Sequence, residues 1–281
     1  MESELKKIVE QLAVKGLRTA GGNRWEETMS LMQNLITNYA SEPQIHAWID
    51  EKGSEYRNFS LRFQGESKRK IVIGAHYDTF EDTPGADDNA SAVAVLLGLA
   101  ELLNAHKENF PYEIELVFYA CEEPPFFGTE GMGSFHHAKK CTRENTSLMI
   151  CLEMVGYFSD EKGSQEYPIA PLKFLFGTKG NYLMLVSNFK SVTALSKLWR
   201  IFKKSDLSYK RFVSPIKSFG LDWSDHRNYW LKKIPAIMIT DTSVFRNDNY
   251  HKLTDTPDTL DYKKMNVLIE DLFLLLKKIK V

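Results

Sequence analysis

The chain has 281 residues, 43% of them hydrophobic, enough for a large core and for one large α/β domain or two small ones. Its 36 basic residues against 37 acidic ones leave a formal net charge of -1, with no basic patch or acidic tail, which argues against nucleic acid as a partner. The opening stretch MESELKKIVEQLAVKG is polar and amphipathic, without an apolar signal core, and no run is long enough to span a bilayer. Cys121, Cys141 and Cys151 are an odd count without a CxxC pair and read as small buried hydrophobes. A cytoplasmic protein with no membrane partner is expected.

Helical periodicity covers 3–14 and 24–39, through Leu5, Ile8, Val9, Leu12 and then Met29, Leu31, Met32, Leu35, Ile36. Strands are predicted at QIHAWID, at YRNFSLRFQG and at KIVIGAHYD, followed by a helix over 90–105. Next come a strand YEIELVFYACEE, a short helix over 131–140, a strand SLMICLEMVGYF and a loop over 159–171. A strand YLMLVSN, a helix over 191–204 and a mobile stretch over 205–222 follow. A helix over 224–232, a strand IPAIMITD and a last helix over 262–280 complete the chain. Strands alternate with helices, and several are continuous apolar runs. That predicts an α/β three-layer sandwich: a mostly parallel, mixed central sheet with helices on both faces. No linker, repeat or low-complexity segment divides the chain, so 1–281 is expected to form one catalytic domain, with residues 1–40 as helices packed on it.

The ionisable residues that end the apolar runs carry the chemistry. KIVIGA ends at His76, with Asp78 two residues on; ELVFYAC ends at Glu122 and Glu123; LMICL ends at Glu153; PAIMIT leads through a loop to Tyr250 and His251. Asp87 and Asp88 stand in PGADDNASA, just before a helix. Ligand crevices of open α/β sheets lie at the carboxyl ends of the strands, so these groups should converge on one edge. Crowded carboxylates are costly to bury unless a cation compensates them. Mixed imidazole and carboxylate donors without thiolate point to zinc, with manganese or cobalt as substitutes. Five ligands are too many for one tetrahedral zinc with an open position and suit two ions sharing a carboxylate, with a single zinc as the alternative. Two Zn²⁺ ions would balance three carboxylates and one hydroxide. A further carboxylate is then left for acid–base work. Adjacent glutamates on extended backbone point in opposite directions, so one can bind metal while its neighbour faces the activated water.

GAHYD, PGADDNASA, ACEE, LEMVGY, SDHRNYW and NYHKLTDTPDTLDY stand in the order found in the co-catalytic dizinc aminopeptidase family, which this chain resembles from about residue 70 to 262. That family includes secreted bacterial leucyl aminopeptidases, glutamate carboxypeptidases and the related glutaminyl cyclases. The resemblance implies that His76 and Glu153 hold one zinc, Glu123 and His251 the other, and that Asp88 bridges them. It implies Glu122 as general base, Tyr250 as a donor to the developing oxyanion, Asp78 as the partner that orients His76, and a cis peptide between Asp88 and Asn89. Three departures stand out. Glu153 replaces a common aspartate, Pro124-Pro125-Phe126-Phe127 replaces a glycine- and leucine-rich segment, and Ala92 replaces a common glycine.

Other polar residues read as structural. His46, His106, His136 and His137 are expected to be satisfied polar side chains, and Asp87 to support the turn before the 90–105 helix. Asp225 and His226, in SDH, cannot form a serine relay with an adjacent serine and read as supporting or helix-start residues. Phe126, Phe127 and Phe245 suit either a specificity pocket or the core. The expected function is a zinc aminopeptidase acting on peptides. The alternatives are a glutaminyl cyclase and, in a different class, a non-catalytic binding protein on the same fold.

Overall fold

The computed structural model describes residues 1–106, 109–214 and 220–280. Two helices, α1 (Glu2–Leu12) and α2 (Trp25–Tyr39), precede strands β1 (Gln44–Ile49), β2 (Glu55–Phe63) and β3 (Gly65–His76). Then come α3 (Ala92–Ala105), β4 (Phe110–Tyr119), α4 (Gly133–Ala138), β5 (Thr146–Glu153), α5 (Pro171–Phe176), β6 (Leu183–Asn188) and α6 (Val192–Phe202). Strand β7 (Tyr209–Ser214), α7 (His226–Leu231), β8 (Ala236–Thr240) and α8 (Tyr262–Lys278) complete the order. The eight strands form one sheet, β1-β2-β4-β3-β5-β8-β6-β7. Its four central strands, β4, β3, β5 and β8, run parallel; β2 and β6 flank them antiparallel. Four parallel carboxyl ends therefore share one rim. The chain has the predicted α/β three-layer, mixed-sheet fold.

Alternation along each strand sorts the residues into two layers. Ile71, Ile73 and Ala75 of β3 join Leu148, Ile150 and Leu152 of β5 in a core with α1, α2, α3, α6 and α8. Val72 of β3 and Met149 and Cys151 of β5 face the opposite core, beside Ala138 of α4 and Tyr229 of α7. Helix α3 is apolar nearly all round because it lies against β3 and is covered by α1, α2 and α8. Helix α8 starts where the Asp261 carboxylate accepts the Lys264 N–H, and buries Met265, Leu268, Ile269, Leu272, Leu275 and Leu276 along one stripe. Among the described residues no helix is long and apolar enough to cross a membrane.

The structure corrects several local expectations. Strand β4 stops at Tyr119 rather than running to Glu123, because Cys121 takes a left-handed backbone (φ 59) and turns the chain out of the sheet. A π-type turn over Ala86–Ser91 precedes α3, which starts at Ala92. Within the stretch expected to be mobile, 209–214 is edge strand β7, paired parallel with β6; residues 215–219 lie outside the described residues. The loop predicted over 159–171 gives way to α5 at Pro171.

Candidate metal centre

His76 is the last residue of β3 and Glu153 the last of β5. Glu122 and Glu123 lie just past β4, Asp88 in the turn before α3, and His251 in the loop after β8. All five predicted ligands meet at this rim. His76 Nε2 lies 3.4 Å from Asp88 Oδ1 and 3.4 Å from Glu153 Oε2. His251 Nε2 lies 3.2 Å from Asp88 Oδ2 and 3.4 Å from Glu123 Oε1. The two oxygens of Asp88 thus face two different imidazoles. Bonds of about 2.0–2.2 Å to a tetrahedral zinc separate neighbouring ligand atoms by about 3.3–3.6 Å, close to these spacings. His76 with Asp88 and Glu153 could hold one ion, and Asp88 with Glu123 and His251 another. Both ring nitrogens of His76, Nε2 of His251 and Oδ1 of Asp88 are buried without a hydrogen-bond partner among the described residues. Such groups are expensive to leave unmatched, and a cation satisfies them together. Glu122 lies a little farther off, with Oε2 4.0 Å from His76 Nε2, and His76, Glu122 and Glu123 form a third group close enough to hold an ion.

The electrostatics without metal have the same origin. Burial opposes charge on His76, but Glu153, Asp78 and Asp88 raise it well above the ordinary imidazole value. Burial likewise opposes charge on His251, which Asp88 and Glu123 raise to about 10. For Asp88, burial is outweighed by His251 and His76, which pull it below the usual carboxylate range. Burial and the neighbouring Asp88 push Glu123 up to about 8. Burial raises Glu122 well above its ordinary value; His76 opposes this, and Glu123 and Glu153 add to it. Tyr250 is raised by burial and by the carboxylates around it.

A second layer holds these groups. The two oxygens of Asp78 accept the backbone N–H groups of Glu122 (3.0 Å) and Glu123 (2.9 Å), and Oδ1 lies 3.5 Å from His76 Nδ1. Asp78 therefore sets the glutamates as well as the histidine. This turn, rather than strand alternation, places the two glutamates. Phe126 N–H also returns to the Glu123 carbonyl at 3.0 Å, and the Pro124–Pro125 bond is cis. Asp87 accepts the Gly156 N–H and the Asn247 side-chain amide, so it supports the turn as expected. The Asp88–Asn89 peptide is cis, as the family resemblance implied. Asp225 is buried, without a hydrogen-bond partner among the described residues, and burial pushes it up to about 7. His226 contacts the Leu221 carbonyl at 2.9 Å and anchors the start of α7.

Five supporting residues escaped the sequence reading. Asp255 accepts the N–H groups of Asp87 (2.9 Å) and Asp88 (3.1 Å). Asn89 binds the Leu152 carbonyl and the Met154 N–H, tying the turn to β5. Ser224 donates to Glu153 Oε2 at 2.6 Å, restraining the longer arm that replaces aspartate. Phe80 stacks on His251 at 4.0 Å between centroids, and Tyr250 stacks on the same ring at 3.8 Å. Arg18 is 0% exposed and donates to the carbonyls of Leu12, Tyr77, Pro84 and Gly85. Burial lowers it to about 10, while Asp255, Asp88, Asp78 and Glu123 favour its charge, so it remains a cation under the carboxylates. Gly85 is required at its position: its φ is +60, and a Cβ there would lie 2.2 Å from the Asp88 carbonyl oxygen. Asp255 and Ser224 fall inside motifs visible in the sequence; no sequence signal marks Arg18 or Phe80.

A cavity of about 730 Å³ opens from the rim. Asp88, Glu122, Glu123, Glu153, Tyr250 and His251 form its polar end, and Met184, Val186, Phe212 and Met238 contribute to an apolar wall. Phe127 and Phe245 line it, whereas Phe126 packs against the core. The remaining histidines have structural partners: His137 meets Tyr229 and Glu115, His46 meets Ser60 and Lys140, His106 meets the Leu102 carbonyl, and His136 stacks on Trp48.

The chain is 41% identical over 233 residues to the uncharacterized protein YfbL of Escherichia coli K12, covering 80% of this chain and 71% of that protein. It is 27% identical over 238 residues to leucine aminopeptidase 1 of Emericella nidulans, covering 80% of this chain but only 55% of that one. Its fold matches a leucine aminopeptidase precursor of Bacteroides thetaiotaomicron with a TM-score of 0.73 at 18% identity, over 100% of this chain and 98% of that one. It also matches a glutaminyl cyclase of the same organism, bound to N-acetylhistamine, with a TM-score of 0.71 at 18% identity, over 100% and 98% of the two chains. A Zn-dependent exopeptidase of Parabacteroides distasonis aligns with a TM-score of 0.68 at 14% identity, over 99% and 98%. The profile of peptidase family M28 matches residues 58–274, a span that takes in every histidine and carboxylate of the rim. The chain belongs to peptidase family M28 and is a metallopeptidase of the hydrolase class, with zinc the indicated metal.

Proposed function

We propose that the protein is a dizinc aminopeptidase that removes N-terminal residues from peptides. The observation that carries this reading is the Asp88 carboxylate, with one oxygen 3.4 Å from His76 and the other 3.2 Å from His251. Glu153 and Glu123 complete the two sets, each 3.4 Å from its histidine. Bound there, zinc supplies a Lewis acid and brings the pKa of water toward ~7. Glu122, whose Oε2 lies 4.0 Å from His76 Nε2 against 3.4 Å for Asp88 and Glu153, takes the proton from the attacking water and returns it to the leaving amine. Tyr250 stays protonated in this setting and donates to the oxyanion. The carboxylates at the polar end favour a positively charged N-terminal amine, and the apolar wall favours an apolar side chain beside it.

A glutaminyl cyclase is the second reading, favoured by the matching fold of the Bacteroides cyclase. An assay with leucine anilide beside a glutaminyl peptide separates the two. Release of free amino acid that chelation abolishes and zinc restores supports the aminopeptidase. Ring closure of N-terminal glutamine without release of amino acids overturns it.

A further inference from the structure

The cavity mouth carries apolar side chains, several of them exposed. Helix α5 has no buried residue. Ile169, ahead of it, and its own Leu172 and Phe176 line the cavity, joined from other segments by Trp223 and Val244. Leu175 is not itself part of the cavity lining, but at about 100° per residue it falls on the same side of α5 as Leu172 and Phe176, and Phe174 on the opposite side. Leu175 is 70% exposed, Trp223 60% and Val244 54%. The buried Met184, Val186 and Met238 line the same cavity. Among the described residues, no lysine or arginine lines the cavity. Among those residues, no such side chain offers a cation to the C-terminal carboxylate of a dipeptide.

We propose that this lip is an exosite for apolar residues beyond the scissile bond, so that the enzyme selects peptides longer than a dipeptide with hydrophobic third and fourth positions. The proposal rests on the aminopeptidase reading and names the substrate class of that site. The lip is continuous with the reaction cavity, which makes the substrate's own tail its occupant. Burying part of two apolar side chains there corresponds to about a tenfold gain in kcat/KM.

The test compares three substrates on the zinc-loaded protein: Leu-Ala-Leu-Phe amide, Leu-Ala-Ser-Asn amide and leucine p-nitroanilide, which has no tail. The wild type should favour the apolar tetrapeptide about tenfold. Leu175→Ser should bring the two peptides to near parity and leave the anilide within about twofold. Phe174→Ser, on the far side of the helix, should keep the preference. Parity in the wild type, a preference that survives Leu175→Ser, or an equal loss in Phe174→Ser would overturn the exosite. So would apolar-tail effects that vanish together with self-association or vesicle binding, which would assign the lip to a second copy or to a lipid surface. If the anilide is untouched while glutaminyl peptides cyclise, the aminopeptidase reading fails separately, and the same two tails on glutaminyl peptides still report on the lip through KM.

Discussion

Arg18 joins the N-terminal helices to the metal rim, and removing it should be unusually costly. Its guanidinium satisfies four backbone carbonyls, those of Leu12, Tyr77, Pro84 and Gly85, in a position with no solvent exposure. A buried polar group left unmatched costs ~1–3 kcal/mol, so four stranded carbonyls set a range of ~4–12 kcal/mol. Water entering the space, together with relief from burying a cation, pulls the total to the low end, about 4–5 kcal/mol for Arg18→Ala. That is large against the effect of most single substitutions. The carbonyls of Pro84 and Gly85 shortly precede Asp88, so the loosened turn should also weaken zinc binding, by about 10–100-fold. Arg18→Lys keeps the charge but offers fewer donors and no planar fork, and should lose about half as much stability. Urea unfolding of the chelated protein measures the first effect, and competition with a chromogenic chelator the second. An Arg18→Ala midpoint within about 1 kcal/mol of wild type, with unchanged zinc affinity, would refute the role given to this residue.

Glu122→Gln should lower kcat by about 10²–10⁴-fold and leave zinc stoichiometry intact, because Glu122 lies farther from His76, at 4.0 Å, than the carboxylates assigned to the metal; turnover and elemental analysis on one preparation check it. Phe80→Ala removes one of two rings stacked on His251 and should weaken zinc binding about tenfold, read by chelator competition. The metal-free protein should lose thermal stability as pH rises. His251, raised to about 10, contributes stability that is complete below its unfolded value near ~6.5 and is lost as pH climbs through 10. Glu123, an acid raised to about 8, adds a loss in the same direction between its unfolded value near ~4.3 and 8. Melting curves of chelated protein from pH 6 to 10 should therefore fall, and saturating zinc should flatten them. A chelated melting temperature that rises across this range would contradict the assignment.

The parts of the site that could be read from the sequence share a physical cause. His76, Glu122, Glu123 and Glu153 stand at or just past the ends of apolar runs, and the runs are buried central strands whose carboxyl ends coincide. His251 and Asp88 lie in loops: the run PAIMIT points toward the first, and the family resemblance selects Asp88 over Asp87. Edge strand β7 was illegible because YKRFVS mixes cations with apolar residues and has one sheet neighbour, unlike the continuous apolar centre. Helix α5 is too short for periodicity and buries nothing. The end of β4 was misplaced because Ala120 and Cys121 extend the apolar run while the backbone at Cys121 has already turned left-handed. Arg18 and Phe80 owe their roles to contacts across about 60 and 170 positions of chain, which local pattern does not carry.

The central claim is that Asp88 is shared by two zinc ions, one beside His76 and Glu153 and one beside Glu123 and His251. Anomalous diffraction from crystals of the zinc-loaded protein, recorded on either side of the zinc absorption edge, addresses it most directly. The account expects two peaks of comparable height flanking the Asp88 carboxylate, about 3.5–4 Å apart. A single peak, or two peaks of which neither lies within bonding distance of Asp88, would contradict it.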